Sequence, residues 1–177
     1  LIVLLGNVFG GFLGAITLAY TNVLNETARQ AITTIGLQAF EYTPLTLFVK
    51  GAFAGLLVAG IVWLDYAARD TVSRLLLVYI AFISIPLGGL YHIVVTTTEM
   101  FFLTFTGQIT LLAATNTVLL PVLLGNTLGG ILLVTLVNYF QTPAYIQEDP
   151  ERRLSWKDWL FSWDKGRAPA ELKQRDS

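Results

Sequence analysis

Apolar residues run through this chain in blocks too long for the core of a small soluble domain. Residues 1–20, 45–66, 75–106 and 118–140 are four such blocks. At about 1.5 Å per helical residue, each can cross the roughly 30 Å hydrocarbon layer of a bilayer. No alternating strand pattern competes, so the pattern predicts an all-α integral membrane protein. The third block is longer than a crossing needs, and Ser84-Ile85-Pro86-Leu87-Gly88-Gly89-Leu90-Tyr91-His92 interrupts it. Pro86 lacks a backbone donor and the Gly88-Gly89 pair adds backbone freedom, which predicts one broken transmembrane helix near residues 86–92.

The polar segments between the blocks suggest the topology. Residues 21–43 carry Glu26, Arg29 and Glu41 and are expected to hold a short surface helix. Residues 65–74 join the second and third crossings, and residues 107–117 join the third and fourth. Lys and Arg favour the cytoplasmic side. Seven of the eleven lie after Pro143, two lie at Arg69 and Arg74, and none lies in residues 107–117. Parity puts both basic regions on one side, so the C-terminus is expected in the cytoplasm of a multi-pass protein of the cell, or inner, membrane.

Composition agrees with the pattern. Charged residues are 13% of the chain, against roughly 25% in soluble domains. Of the 23 Lys, Arg, Asp and Glu residues, nine precede Pro143, so residues 1–142 read as a membrane domain and residues 143–177 as a polar tail. In that tail Trp156, Trp159, Leu160 and Trp163 recur at helical spacing, behind a capping pair of Ser155 and Asp158. A short amphipathic helix is expected there, lying on the cytoplasmic membrane face or docking a partner. The chain has no cysteine, which excludes disulfides and thiolate metal sites.

One repeat bears on the architecture. Leu4-Leu5-Gly6-Asn7-Val8-Phe9-Gly10-Gly11-Phe12-Leu13 returns as Leu123-Leu124-Gly125-Asn126-Thr127-Leu128-Gly129-Gly130-Ile131-Leu132, with seven identities in ten positions. The copies stand on the first and fourth crossings and so run in opposite directions, as in an inverted-repeat helical bundle. The later unit holds three crossings and the earlier one shows only its last, so about two crossings are expected before Leu1. Gly6, Gly10 and Gly14, Gly51 and Gly55, and Gly125 and Gly129 each form a small-residue face for close helix packing. Asn7 and Asn126 are expected to hydrogen-bond backbone freed at a break.

Three ionisable groups fall inside crossings: Lys50, His92 and Glu99. Lys50 lies about 7 Å and Glu99 about 10 Å from the same membrane face. They are placed to pair in a vestibule, or Lys50 snorkels outward. His92 lies deeper, on the face of its helix that also carries Thr96 and Glu99. A small carboxylate crossing an apolar constriction as an ion pays several kcal/mol in desolvation. Neutralising a carboxyl of pKa near 3.9 at pH 7 takes roughly 4 kcal/mol. His92 is the group suited to give and recover that proton near neutral pH. The plainer reading is a proline kink whose histidine bonds a neighbouring helix.

The repeated Leu-Gly-Asn-x-x-Gly-Gly, the Gly-Gly-Leu-Tyr-His break and residues 120–130 through Asn138-Tyr139-Phe140 together resemble the formate/nitrite transporter family. The resemblance covers residues 1–142 and matches the last four of that family's six crossings. It implies an aquaporin-like fold, a homopentamer with a pore in each protomer, and passage of small monovalent anions with protons, with His92 as the central histidine. Tyr91 stands where the formate-channel branch has an acidic residue, and Gly55 where it has an asparagine facing the histidine. Lys50 and Glu99 are nearer a less characterised branch. His92, Tyr91, Thr96, Gly55, Glu99 and Lys50 are therefore the expected substrate and proton pathway. A neutral-solute facilitator and a non-transporting membrane scaffold are the alternatives. No metal, cofactor or nucleic-acid partner is expected. With no HExxH, no paired intramembrane aspartates and no serine motif beside the histidine, an enzyme is not expected.

Overall fold

The computed structural model describes residues 2–141. Residues 2–136 form one compact unit, and residues 137–141, the end of the last helix, are counted with a second. The tail helix expected around Trp156 to Trp163 lies outside the described residues.

Among the described residues there are helices and no strands: α1 (Ile2–Tyr20), α2 (Glu26–Gln38), α3 (Pro44–Ala67), α4 (Thr71–Leu87), α5 (Ile93–Phe105), α6 (Leu111–Ala113) and α7 (Leu120–Gln141). A 3-10 turn, Ala39–Glu41, follows α2, and a π-helical segment, Ala114–Leu119, joins α6 to α7. Residues 2–20, 44–67 and 111–136 are long and apolar enough to cross a membrane, while α4 and α5 are shorter apolar helices. The chain is an all-α integral membrane protein.

The starts of four helices are set by side chains that accept from otherwise unpaired amides. Asn25 caps α2 through the Ala28 amide at 2.8 Å, and Thr43, followed by Pro44 in the first turn, caps α3 through Thr46 at 3.2 Å. Asp70 caps α4, taking the Ser73 amide at 2.8 Å and its hydroxyl at 2.7 Å. Thr110 caps α6 through Ala113 at 3.2 Å. At Pro121 the missing N–H deprives the preceding turn of an α-type bond. The widened segment 114–119 lies just before it, with Leu120 donating to the carbonyl of Thr115, five residues back.

The core is built around α5. Met100, Phe102 and Leu103 are fully buried, together with Leu47, Val118 and Val122 from α3, the π-helical segment and α7. Helix α1 lies along α5, where Phe12 meets Phe101 and Phe105 edge-on at 5.3 and 5.5 Å between centroids. The surface helix α2 is tied down by Arg29, whose guanidinium donates to the carbonyls of Leu18, Ala19 and Thr21 at the end of α1 and lies 5.6 Å from the Phe102 ring.

Helices α3 and α7 approach until backbone meets backbone. A Cβ on Gly125 would strike the carbonyl of Phe48, one on Gly129 that of Ala52, and one on Gly55 that of Asn126. Glycine at these positions is what lets the two axes come together.

Candidate functional site

The break in the third apolar block begins one step later than the sequence predicts. Helix α4 continues through Pro86 to Leu87, because a proline in the last turn removes a single bond and the helix is about to end in any case. Termination belongs to Gly89, at φ +57°, a conformation glycine adopts without penalty. The Gly89 amide donates to Pro86 at 3.0 Å and the Leu90 amide reaches back to Ile85 at 2.9 Å, the paired bonds of a Schellman ending. Extended backbone follows to His92, which occupies the N-cap position of α5 at φ −105° and ψ 125°.

The freed polar backbone groups find partners on other helices. Asn126 of α7 donates from Nδ2 to the carbonyls of Tyr91 at 2.9 Å and Gly51 at 2.8 Å, and its Oδ1 accepts from the Ile93 amide at 3.0 Å. One buried carboxamide thus bridges α3, the break and the first turn of α5. Lys50 of α3 donates from Nζ to the Gly89 carbonyl at 2.8 Å and lies 4.4 Å from the centre of the Tyr42 ring. Tyr42 in turn meets the buried Tyr91 ring edge-on, with centroids 6.1 Å apart.

Beside the break is a cavity of about 420 Å³. Its apolar walls come from Val58, Phe82, Ile85, Leu90 and Val95, among others, and its polar lining from Gln38, Tyr91, His92, Thr96 and Glu99. His92, Thr96 and Glu99 stand at helical spacing on α5, with roughly 10 Å of rise between the first and the last. Thr97 and Thr104 return their hydroxyls to carbonyls four residues back, at 2.7 and 2.8 Å. Neither His92 nor Glu99 has a side-chain hydrogen bond or ion pair among the described residues, so both are available to a molecule in the cavity. No Lys or Arg among the described residues lines it.

Two of the expected pathway residues take other places. Gly55 is buried against the Asn126 backbone at the α3–α7 crossing and does not line the cavity. Lys50 and Glu99 do not pair: depth along a helix gives a height but not a direction, and Lys50 points at the break. Of the repeat's two asparagines, one meets freed backbone within the described residues. Asn126 bonds across the break as expected, but Asn7 is exposed, and a Cβ on Gly6 or Gly10 would meet nothing within 4 Å. Gln38, the last residue of α2, was not legible as a lining residue. The signal for it was Gly36, which lets α2 sit close to α5: a Cβ there would come within 2.8 Å of Leu103 and 3.7 Å of Glu99.

Comparison with known proteins gives this geometry its context. The family model described as Formate/nitrite transporter matches residues 1–140. Inner membrane protein YfdC of Escherichia coli (strain K12) is 31% identical over 140 residues, covering 79% of this chain and 44% of YfdC. The chain therefore spans less than half the length of that curated relative. No solved structure matches the chain. With the match running from α1 to Phe140 in α7 and through the broken helix and its asparagine clamp, this chain belongs to the formate/nitrite transporter family.

Proposed function

We propose that this chain forms part of a pathway for small monovalent weak-acid anions of the formate and nitrite kind, each moved with a proton that His92 gives and recovers. The observation that carries the proposal is the cavity at the break, where an unpaired imidazole and the Thr96 and Glu99 side chains face an apolar space of about 420 Å³. Such a space disfavours a bare anion and accepts a neutral acid. An imidazole is the side chain that exchanges protons near neutral pH. Tyr91 forms part of the wall, and Lys50 acts from behind it by holding Gly89 in place.

The same reading treats residues 1–142 as the membrane domain of a non-enzymatic inner-membrane transporter, with residues 143–177 as a cytoplasmic tail. It takes the two Leu-Gly-Asn-x-x-Gly-Gly copies as halves of an inverted repeat, and the assembly as a homopentamer with a pore in each protomer. The test is uptake of labelled formate into proteoliposomes by the full-length protein across a range of pH. Flux that rises on acidification and is lost in His92→Ala supports the reading. Flux in His92→Ala equal to wild type at every pH removes the histidine from the mechanism, and no small-anion flux in the wild type removes the transport assignment.

A further inference from the structure

Among the described residues Glu99 is the one acidic side chain lining the cavity, and its carboxyl is bound to nothing there. An intramembrane carboxyl held by no partner marks a pathway or a proton relay. The charged and titratable groups around it are accounted for. Tyr91 and His92 lie at the break, and Glu41 and Tyr42 follow α2. On α2 itself Arg29 is spent on the carbonyls that end α1 and on Phe102, and on α3 Lys50 is spent on Gly89 and Tyr42. Helix α4 contributes Phe82, Ile85 and Pro86 to the cavity and no ionisable group. Among the described residues, then, no cation neutralises Glu99 from across the cavity.

We infer that Glu99 is a proton-loading residue of the pathway, sharing one proton with the carboxylate of the incoming acid so that the acid reaches His92, where the proton is exchanged, as a neutral molecule. This rests on the transport reading above. Two carboxyl groups in one apolar space cannot both be ionised, and the pair holds a single proton between them. In the step, the O–H bond of the Glu99 carboxyl breaks and an O–H bond forms on the substrate. The Glu99 carboxylate is then reprotonated by water on the side of loading, so one anion and one proton enter together. Carboxylic acids have reference pKa values close to one another, so the transfer is nearly balanced for a small carboxylate. Anions of strong acids, such as nitrate or chloride, cannot keep the proton. The substrate class is thus weak acids, selected by proton affinity as much as by size.

The experiment follows labelled formate and internal pH together in proteoliposomes of the full-length wild type, Glu99→Gln and Glu99→Asp. In the wild type, one proton accompanies each formate and nitrate is excluded. Glu99→Gln is expected to lower formate flux at least tenfold at pH 7 and much less at pH 5, where bulk formic acid supplies the neutral species. Glu99→Asp is expected to keep the wild-type pH profile at reduced flux. Formate should also shift a protonated-carboxyl band in the infrared difference spectrum of the wild type that is missing in Glu99→Gln. A loss by the same factor at every pH in Glu99→Gln, or no loss at all, overturns the assignment while leaving transport standing. An absence of formate flux in the wild type overturns both.

Discussion

Replacing Asn126 by Leu tests whether one side chain holds the break together. The substitution keeps the branched shape and heavy-atom count and removes three hydrogen bonds, to Gly51, Tyr91 and Ile93, at 2.8 to 3.0 Å. Asn126 is 9% exposed, so water does not simply replace what is lost. The Gly51 carbonyl belongs to a helix interior, but the Tyr91 carbonyl and Ile93 amide lie in broken backbone. Side-chain hydrogen bonds inside membrane proteins are worth about 0.6 kcal/mol on average and about 1.7 at most. Unsatisfied buried groups in soluble cores lose about 1–3 kcal/mol each. Three bonds therefore predict a destabilisation of about 2–5 kcal/mol. The assay is reversible unfolding in mixed micelles, paired with hydrogen exchange at the Ile93 amide, which should speed up in step with the lost stability. Thr127→Val is the control: its hydroxyl bonds only the Leu123 carbonyl on an exposed face, and the change should stay within about 0.5 kcal/mol. A loss below about 0.5 kcal/mol in Asn126→Leu, with Ile93 exchange unchanged, would refute the clamp.

Gly129→Ala puts a methyl group against the Ala52 carbonyl, and overpacking of a core lowers stability by about 1–3 kcal/mol, with a clash against backbone at the upper end. Gel filtration after graded heating should show the folded peak disappearing well below the wild-type temperature. Asp70 gives a prediction for pH: the Ser73 amide and hydroxyl hold its carboxyl below its usual value of 3.8. A depressed folded pKa means that the contribution is complete above the unfolded value and is lost as pH falls through the folded one. The gap in unfolding midpoint between wild type and Asp70→Asn should therefore be widest near pH 6 and shrink below pH 4.

The parts of this fold that could be read from sequence were those with local causes. Apolar length marked the crossings, Gly88-Gly89 marked an interruption, and the repeat singled out the asparagine that bonds across it. What depended on the direction of a side chain around its helix could not be read. Lys50 and Glu99 have similar heights, yet one turns to a carbonyl and the other to a cavity. Gly55 aligned by sequence with a histidine-facing position and instead serves a helix crossing. The π-helical turn before Pro121 was equally silent, since Ala-Thr-Asn-Thr-Val-Leu also suits an ordinary helix.

An apolar segment cut in two also brings two helix ends, and so two partial charges, to the same point. The carbonyl end of α4 is negative and is met by the Lys50 ammonium at 2.8 Å. The amide end of α5 is positive, by roughly half an elementary charge, and no carboxylate sits in its first turn. The break therefore leans toward positive potential, with no arginine or lysine among the described residues of the cavity wall. Such a field eases, without removing, the desolvation that an ion would meet there.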